Sequence, residues 1–340
     1  MSKYNPIATY ITGCLLSRDL VLLPTSLDCL AKEDYAFTRV STYERNDEDA
    51  PWGYRDYDWT IVSVCSYGMH RLRCVLSREG QVRLYGPGGK PDHSYQIPEA
   101  GVFGDAAIGL GYVNRIRGIG DHLYVCGQSR QVYRFDWNGR DLASGVWRDM
   151  AGAMRQPPIS EPPDSDDEAF DRWLDESDAI DLVDIDGTSE GDIYAVGDEA
   201  WHWDGHQWRQ LVLPTDENIN AIKILGPDEI WLAGHNGTLL KGNARNGFVE
   251  LSSVDDNQNF VGIERFDGKI FLASNLGLHV YDPAKRKIER YVTDLQPDLK
   301  DTHVLEAKDG ILWSIGFKDL AYFDGKTWTR VDHPDNPPIR

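Results

Sequence analysis

Several features that mark common protein classes are missing from this chain. No run approaches the roughly twenty apolar residues needed to cross a bilayer, so no membrane span is predicted. The five cysteines are odd in number and lack C-x-x-C spacing, which argues against a disulfide framework and a zinc site. The stretch leading to Ile11-Thr12-Gly13-Cys14 is too short and polar for an export signal. These absences favour a cytosolic protein.

Basic residues are also scarce. Lys and Arg number 35 against 55 Asp and Glu, which gives a formal net charge of −20. A charge of this sign opposes binding to nucleic acid or to an anionic membrane, because both would repel it. It favours a cationic partner.

Motifs for catalysis or cofactor binding do not appear either. The sequence has no G-x-S-x-G elbow and no H-E-x-x-H pair. Residues 86–90 lack the full spacing of a phosphate loop and are interpreted as a hairpin turn. Four carboxylates match no calcium loop and are interpreted as a solvated turn: Asp184, Asp186, Glu190 and Asp192. We therefore predict no catalytic residue, no metal and no cofactor.

What the chain does contain is a repeated strand pair. The run Ile193–Gly197 recurs at Ile230–Gly234, Ile270–Ser274 and Leu312–Gly316, with an earlier copy at Leu123–Gly127. From Ile193 onward the copies start 37, 40 and 42 residues apart. A second aromatic-rich run follows each copy, so the unit is a hairpin, and its period is that of a four-stranded propeller blade.

The repeat predicts an all-β fold, a single β-propeller domain over residues 1–340. Asp204-Gly205 and Asp324-Gly325 lie where a tight hairpin needs positive φ, which marks the outer edge of a blade. Residues 1–45 are interpreted as a degenerate first blade or a closing segment, and residues 45–58 as a loop. With the first stretch counted, the prediction is seven blades; without it, six.

The repeat also carries a resemblance. Its form, a hydrophobic-aromatic-hydrophobic run ending in glycine, then aromatic-Asp-Gly and a Trp, resembles bacterial β-propeller repeats grouped with tryptophan-aspartate and photosystem-assembly-factor propellers. The resemblance covers about residues 112–333 without the acidic insertion. It implies the architecture and leaves function open, since propellers have many roles. The chain lacks the Gly-His and Trp-Asp dipeptides of tryptophan-aspartate repeats, which disfavours a eukaryotic-style scaffold.

One acidic insertion, residues 151–179, interrupts the repeat. Residues 161–186 hold twelve carboxylates against the single base Arg172, a net charge of −11. Phe170, Trp173 and Leu174 fall at i, i+3 and i+4, the spacing of one face of a short helix.

Loop geometry predicts where this insertion lies. In a propeller, the loops between the second and third strands of each blade share one face with the connections between blades. We therefore predict a partner-binding rim on this face, formed by Asp164, Asp166, Asp167, Glu168, Phe170, Asp171, Trp173, Leu174, Asp175, Glu176, Asp178, Asp198, Glu199, His235, Asn236 and Asn275.

Together these patterns suggest a non-catalytic, monomeric binding propeller with a basic protein partner. The sharpest hypothesis is an immunity protein that covers the active cleft of a cognate bacterial toxin, such as a nuclease. Two alternatives stay open at this point: an assembly factor or scaffold, and a carbohydrate-binding or hydrolytic propeller with carboxylates meeting in its channel.

Overall fold

The computed structural model describes residues 6–33, 35–68, 72–137, 141–158, 178–252 and 257–340. Across these ranges, 29 strands form seven antiparallel sheets. Helical structure there consists of three-residue 3-10 turns at Asp28–Leu30, Pro87–Gly89, Gln128–Arg130, Leu142–Ser144, Gly152–Met154 and His235–Gly237. Within the described residues, no helix has the length and apolar character to span a bilayer.

The sheets follow one another along the chain, and each is a blade. Blades 1 and 2 contain β1 (Ala8–Tyr10), β2 (Cys14–Ser17), β3 (Leu20–Leu27), β4 (Thr38–Glu44), β5 (Trp52–Tyr57), β6 (Ile61–Tyr67), β7 (Leu72–Ser77), β8 (Gln81–Tyr85) and β9 (Asp92–Gln96). Blades 3 and 4 contain β10 (Val113–Ile119), β11 (His122–Gly127), β12 (Gln131–Asp136), β13 (Val146–Asp149), β14 (Leu182–Ser189), β15 (Asp192–Gly197), β16 (Ala200–Trp203) and β17 (Trp208–Gln210).

The remaining three blades have the same order. They contain β18 (Ile219–Gly226), β19 (Glu229–Gly234), β20 (Leu239–Asn243), β21 (Gly247–Glu250), β22 (Gly262–Phe266), β23 (Lys269–Ser274), β24 (Gly277–Asp282), β25 (Lys287–Arg290), β26 (Val304–Lys308), β27 (Ile311–Ile315), β28 (Leu320–Phe323) and β29 (Trp328–Arg330). The inner strands β2, β6, β10, β14, β18, β22 and β26 contact one another in sequence, and β26 returns to β2. The ring is closed, so the predicted seven-bladed propeller is confirmed.

Blade 1 differs from the others in its inner strand. Both β1 and β2 pair with β3, at its end and at its start, so residues 11–13 interrupt what would otherwise be one strand. No described strand of blade 1 pairs with blade 7. The two blades meet instead through a shared core that includes Tyr10, Leu23, Trp313 and Leu320.

The interpretation of residues 45–58 as a loop was wrong for its second half. Residues 52–57 form β5, which pairs with β4 along its whole length. Trp52 packs on Tyr43 with ring centroids 4.9 Å apart, and Arg39 pairs with Asp56 at 2.8 Å. An outermost strand has one unpaired edge and is partly solvated, so its polar composition resembles that of a loop.

The structure explains the glycine that ends the repeated run. At Gly127, Gly197 and Gly234, an added Cβ would lie 2.4, 1.8 and 2.1 Å from the carbonyl oxygen of the residue preceding the inner strand of the same blade. That carbonyl accepts a hydrogen bond from the residue after the glycine, as in His235 N to Asn218 O at 2.9 Å. The glycine is therefore required by close backbone approach.

Candidate partner-binding face and central channel

The face predicted to carry the partner site is defined by hydrogen bonds between loops. His235 N donates to Asn218 O, and Gly237 N donates to Gln258 O at 2.6 Å, which joins a loop between second and third strands to two connections between blades. We call this side the loop face. It comprises residues 6–7, 28–33, 35–37, 78–80, 128–130, 198–199, 235–238, 275–276 and 316–319, with the described parts of the connections 58–60, 97–112, 150–181, 211–218, 251–261 and 291–303.

The acidic insertion begins and ends on the loop face beside blades 3 and 4. Gln156 N donates to Ser129 O at 3.1 Å, and Ile180 N donates to Gln156 Oε1 at 2.7 Å. Arg130 N also donates to Ile180 O at 3.2 Å. These bonds tie the two ends of the insertion to one another and to the loop of blade 3. Phe170, Trp173, Leu174 and the predicted carboxylates from Asp164 to Glu176 lie outside the described residues.

Carboxylates are concentrated on the loop face beside these anchors. We call this group the acidic arc; its members are Asp178, Asp181, Asp198, Glu199, Asp216 and Glu217. Asp198 accepts hydrogen bonds from Asp181 N at 2.8 Å and from Asn218 Nδ2 at 2.7 Å. Burial, together with the nearby Asp198 carboxylate, raises the pKa of Asp181. A cation placed here would relieve that repulsion.

Glu199 is the member of the arc that already has a basic partner. Arg130 Nε and Nη2 donate to its two carboxylate oxygens at 2.7 and 2.8 Å, and Trp201 Nε1 donates at 2.7 Å. These hydrogen bonds from Arg130 hold the pKa of Glu199 below its usual range. Glu199 is therefore held in place by these hydrogen bonds. Asp178 and Asp216, by contrast, are exposed.

Exposed apolar side chains are also concentrated on the loop face. Of the thirteen large apolar side chains that are exposed among the described residues, three lie on outermost strands, namely Tyr54, Val146 and Val249. The other ten lie on the loop face: Ile7, Tyr35, Val102, Phe103, Ile108, Val212, Val261, Leu276, Val292 and Phe317. The described loops of the opposite face carry none of them.

Four of these side chains lie on blades 6 and 7, and we call them the apolar arc: Val261, Leu276, Val292 and Phe317. The Phe317 ring stacks on His303 at the mouth of the channel, with ring centroids 4.7 Å apart and planes inclined by 22°. Burial lowers the pKa of His303 to about 4, so the imidazole is neutral near pH 7. The Phe317 ring therefore stacks on an uncharged imidazole.

A central channel of about 400 Å³ runs between the inner strands, and residues from all seven blades line it. Among the described residues, the charged side chains that line it balance, with three bases and three acids: Arg115, Arg117 and Lys308 against Asp184, Asp186 and Glu306. The ion pair Lys223–Glu264 lies beside them on the inner strands of blades 5 and 6. Asp184 lies 3.2 Å from Arg115 Nε and 3.0 Å from Arg117 Nη2, and Glu264 lies 2.6 Å from Lys223 Nζ. The channel thus neutralises its own charge, unlike the loop face.

Carboxylates on the inner strands also join neighbouring blades. Asp184 accepts from Ile222 N at 3.2 Å, and Glu264 accepts from Ala307 N at 3.3 Å, each on the next blade. Burial by itself raises the pKa of Asp184, but the two arginines outweigh it and the pKa lies below its usual range. Burial and the Glu264 charge raise the pKa of Glu306. These contacts give the carboxylates a structural role around the ring.

The interpretation of residues 184–192 as a solvated turn was wrong for its first half. Asp184 is 1% exposed and belongs to the inner strand β14, with its carboxylate in the channel. Asp186 lines the channel too, and burial raises its pKa. Glu190 follows β14 and Asp192 begins β15, at the turn between them, where Asp192 pairs with His202 at 2.7 Å.

The other predicted site residues that the structure describes lie on the loop face. His235 and Asn236 occupy the 3-10 turn of blade 5, where Asn236 Nδ2 donates to Glu217 Oε1 at 2.8 Å. Asn275 is exposed in the turn of blade 6, next to Leu276. Whether these residues bind a partner stays a prediction.

Sequence reasoning missed two sets of residues. The channel bases were visible as charges within strand-like runs, such as Asn114-Arg115-Ile116-Arg117, but period 2 alone does not say which face of the strand is central. Leu276 and Phe317 were visible as apolar residues in short loops. Their significance depends on sharing one face of the ring.

Comparison with known proteins gives one full-length match. The chain is 29% identical to Immune protein Tsi7 of Pseudomonas aeruginosa, over 98% of this chain and 100% of that protein. No protein-family model matches the sequence.

Solved structures with the same fold are more distant in sequence. The WD40 β-propeller domain of Doa1 aligns over 95% of this chain and 93% of that domain, with a TM-score of 0.60 and 7% identity. YCF48, solved with a D1 peptide, aligns over 93% of this chain and 94% of its own, with a TM-score of 0.58 and 14% identity. Virginiamycin B lyase from Staphylococcus aureus aligns over 82% of this chain and 85% of its own, with a TM-score of 0.57 and 10% identity. These likenesses concern the fold alone.

Proposed function

We propose that this chain is a non-catalytic immunity protein that binds a cognate toxin in the bacterial cytosol and neutralises it. The observation that carries the proposal is the match to Immune protein Tsi7, which spans both chains almost completely. Because the match includes every blade, it concerns the whole propeller and not a shared module.

The charge of the loop face supports a basic partner. The acidic arc lies beside the anchors of the insertion, and the chain as a whole carries −20. Opposite charges on two proteins accelerate their association and orient the encounter. A toxin that acts on nucleic acid needs a cationic cleft, and carboxylates of an immunity protein would occupy that cleft in place of phosphates. A nuclease is therefore the toxin class that this surface fits best.

The alternative of a hydrolytic propeller is less well supported than an immunity protein, because of the charged residues of the channel. Its volume would accept a small ligand. However, Asp184 and Glu264 are each paired with bases and with a backbone amide of the next blade, and Asp186 and Glu306 each make a backbone hydrogen bond, with Gly187 and Leu15 respectively. A general acid and a nucleophile need carboxylates that are free to reach a substrate.

The proposal is tested by co-expression. The open reading frame adjacent to the gene for this chain is placed under an inducible promoter, with and without this chain expressed from a second promoter. We expect growth arrest with the first gene alone, rescue when both are present, and co-purification of the two proteins in 1:1 stoichiometry.

Two results would count against the proposal: arrest that this chain does not relieve, or relief without a complex between the proteins. Asn336→Ala, a variant expected to weaken the ring, serves as the folding control. If Asn336→Ala lowers both the melting temperature of this protein and the rescue of growth, the folded propeller is needed for neutralisation.

A further inference from the structure

The exposed large apolar side chains of the described residues lie mostly on one face of the molecule. Single exposed apolar residues are common on any protein, and scattered ones need no explanation. Here ten of thirteen lie on the loop face, although that face is also rich in carboxylates. Exposed apolar side chains that share a face with polar ones are typical of protein-binding sites.

The apolar arc presents its side chains from fixed backbone. Val261 N donates to Ala273 O at 2.9 Å, and Leu276 N donates to Ser274 Oγ at 3.1 Å. Phe317 N donates to the Asp301 carboxylate, while Phe317 O accepts from Tyr10 N at 2.9 Å. Loops held in this way lose little conformational entropy on binding, so their side chains are suited to be anchors.

The two arcs occupy different sectors of the same face. The acidic arc spans the connections and loops of blades 3 to 5, and the apolar arc spans those of blades 6 and 7. His235 and Asn236 of blade 5 lie between them, and Asn236 bonds directly to Glu217 of the acidic arc. A partner centred on the channel mouth would contact both sectors.

We infer that the toxin docks end-on over the channel mouth, with a Lys/Arg-rich surface on the acidic arc and an adjoining apolar patch on the apolar arc. The inference rests on the proposed function and adds the orientation and the surface chemistry of the partner. A second copy of this chain is a poorer occupant, because two loop faces in contact would bring two acidic arcs together.

The test compares two matched pairs of substitutions. Leu276→Ser with Phe317→Ser removes exposed apolar side chains from the apolar arc, and Val146→Ser with Val249→Ser removes comparable ones from outermost strands. Binding to the purified product of the adjacent toxic gene is measured by titration calorimetry, and folding by thermal unfolding. We expect the loop-face pair to lose about 100-fold in affinity, as for interface anchors, and the strand pair to lose less than about threefold.

The outcomes separate this inference from the proposed function. Wild-type affinity of the Leu276→Ser, Phe317→Ser protein would overturn the docking orientation and leave the immunity function in place. Failure of the wild-type protein to bind the toxin would overturn the function itself. Sedimentation of the free protein supplies the third outcome: a dimer that the loop-face pair abolishes would assign the apolar arc to self-association and overturn the inference.

Discussion

The side chain of Asn336 makes both amide hydrogen bonds with the backbone of Ala8, 328 residues away in sequence. Its Oδ1 accepts from Ala8 N at 2.8 Å, and its Nδ2 donates to Ala8 O at 2.9 Å. Both residues are buried. No strand of blade 1 pairs with blade 7 in the described chain, so these two hydrogen bonds help to join the two ends of the ring.

Asn336→Ala should therefore destabilise the protein by about 1 to 3 kcal/mol, since it leaves the buried Ala8 N without a partner, while Ala8 O keeps its hydrogen bond from Lys318 Nζ at 3.0 Å. Urea unfolding at pH 7 measures the change. Asn275→Ala, in an exposed turn, is the control and should change stability by less than about 0.5 kcal/mol. Equal effects of the two variants would contradict the assigned role of Asn336.

Gly234→Ala should destabilise the protein by about 2 to 4 kcal/mol, because its Cβ would overlap Asn218 O and displace the inner strand. Gly226→Ala is the matched control, since it lies in the same blade with no heavy atom within 4 Å of an added Cβ. Thermal unfolding compares them. A stable Gly234→Ala protein would show that the repeated glycine has another cause.

Asp184→Asn should cost about 3 kcal/mol, because it leaves Arg115 and Arg117 without their buried partner. Since the folded-state pKa of Asp184 is lowered, its contribution is present above the unfolded pKa and is lost as the pH falls through the folded pKa. The difference between wild type and variant should thus shrink in acid.

Asp186→Asn is the control for this charge network. Burial raises the pKa of Asp186, so replacement by a neutral amide should be close to neutral or mildly stabilising at pH 7. If Asp186→Asn proves as harmful as Asp184→Asn, the two carboxylates share one role and the distinction drawn here is wrong. Denaturant unfolding at several pH values decides between these results.

Low pH should destabilise the junction between blades 1 and 7 through His333. The His333 ring packs on Tyr10 and Trp52 of blade 1, with ring centroids 5.6 and 4.9 Å apart. Burial lowers the pKa of His333 to about 4; the Asp335 charge raises it, and those of Arg39 and Lys318 lower it further. The folded state therefore binds fewer protons than the unfolded state between about pH 6.5 and pH 4, and stability falls as the pH falls through this window.

His333→Gln should remove about 1 to 2 kcal/mol of the stability difference between pH 7 and pH 5. Gln keeps an acceptor for Asp335 N, which bonds His333 Nδ1 at 3.1 Å. His206→Gln, in an exposed turn, should leave that difference unchanged. Parallel pH profiles for wild type and His333→Gln would refute the assignment.

Association with the toxin should depend on salt and on the acidic arc. We expect the association rate constant to fall at least about tenfold between 50 and 500 mM NaCl, as for electrostatically steered pairs. Asp178→Lys with Asp216→Lys should slow association further, whereas Asp121→Lys with Asp228→Lys, the same charge change on the opposite face, should slow it less. Stopped-flow kinetics measures all three; equal effects of the two pairs would favour a general charge effect over a defined surface.

The sequence predicted those features that depend only on residues within one blade. The run ending at Gly197 or Gly234, and the Asp204-Gly205 turn, where Gly205 has φ of +89°, are local patterns, so blades and hairpins could be predicted. Residues 52–57 were missed because an edge strand with polar residues has no local feature that separates it from a loop.

The channel and the apolar arc could not be predicted because they exist only in the closed ring. Asp184 was interpreted as part of a turn, and nothing near it in sequence shows that Arg115 and Arg117 of the preceding blade reach it. Likewise, Leu276 and Phe317 are 41 positions apart in sequence and become members of one surface only through the blade arrangement.

Because each blade draws all its strands from one continuous stretch of chain, the first and last blades share no ladder and are held by side-chain contacts and the backbone bond from Tyr10 N to Phe317 O. Stretched by its two termini, the propeller would part first at that junction, where Lys318, Asn336 and a single core cluster oppose the load. The other six junctions between blades would carry no load until this junction had opened.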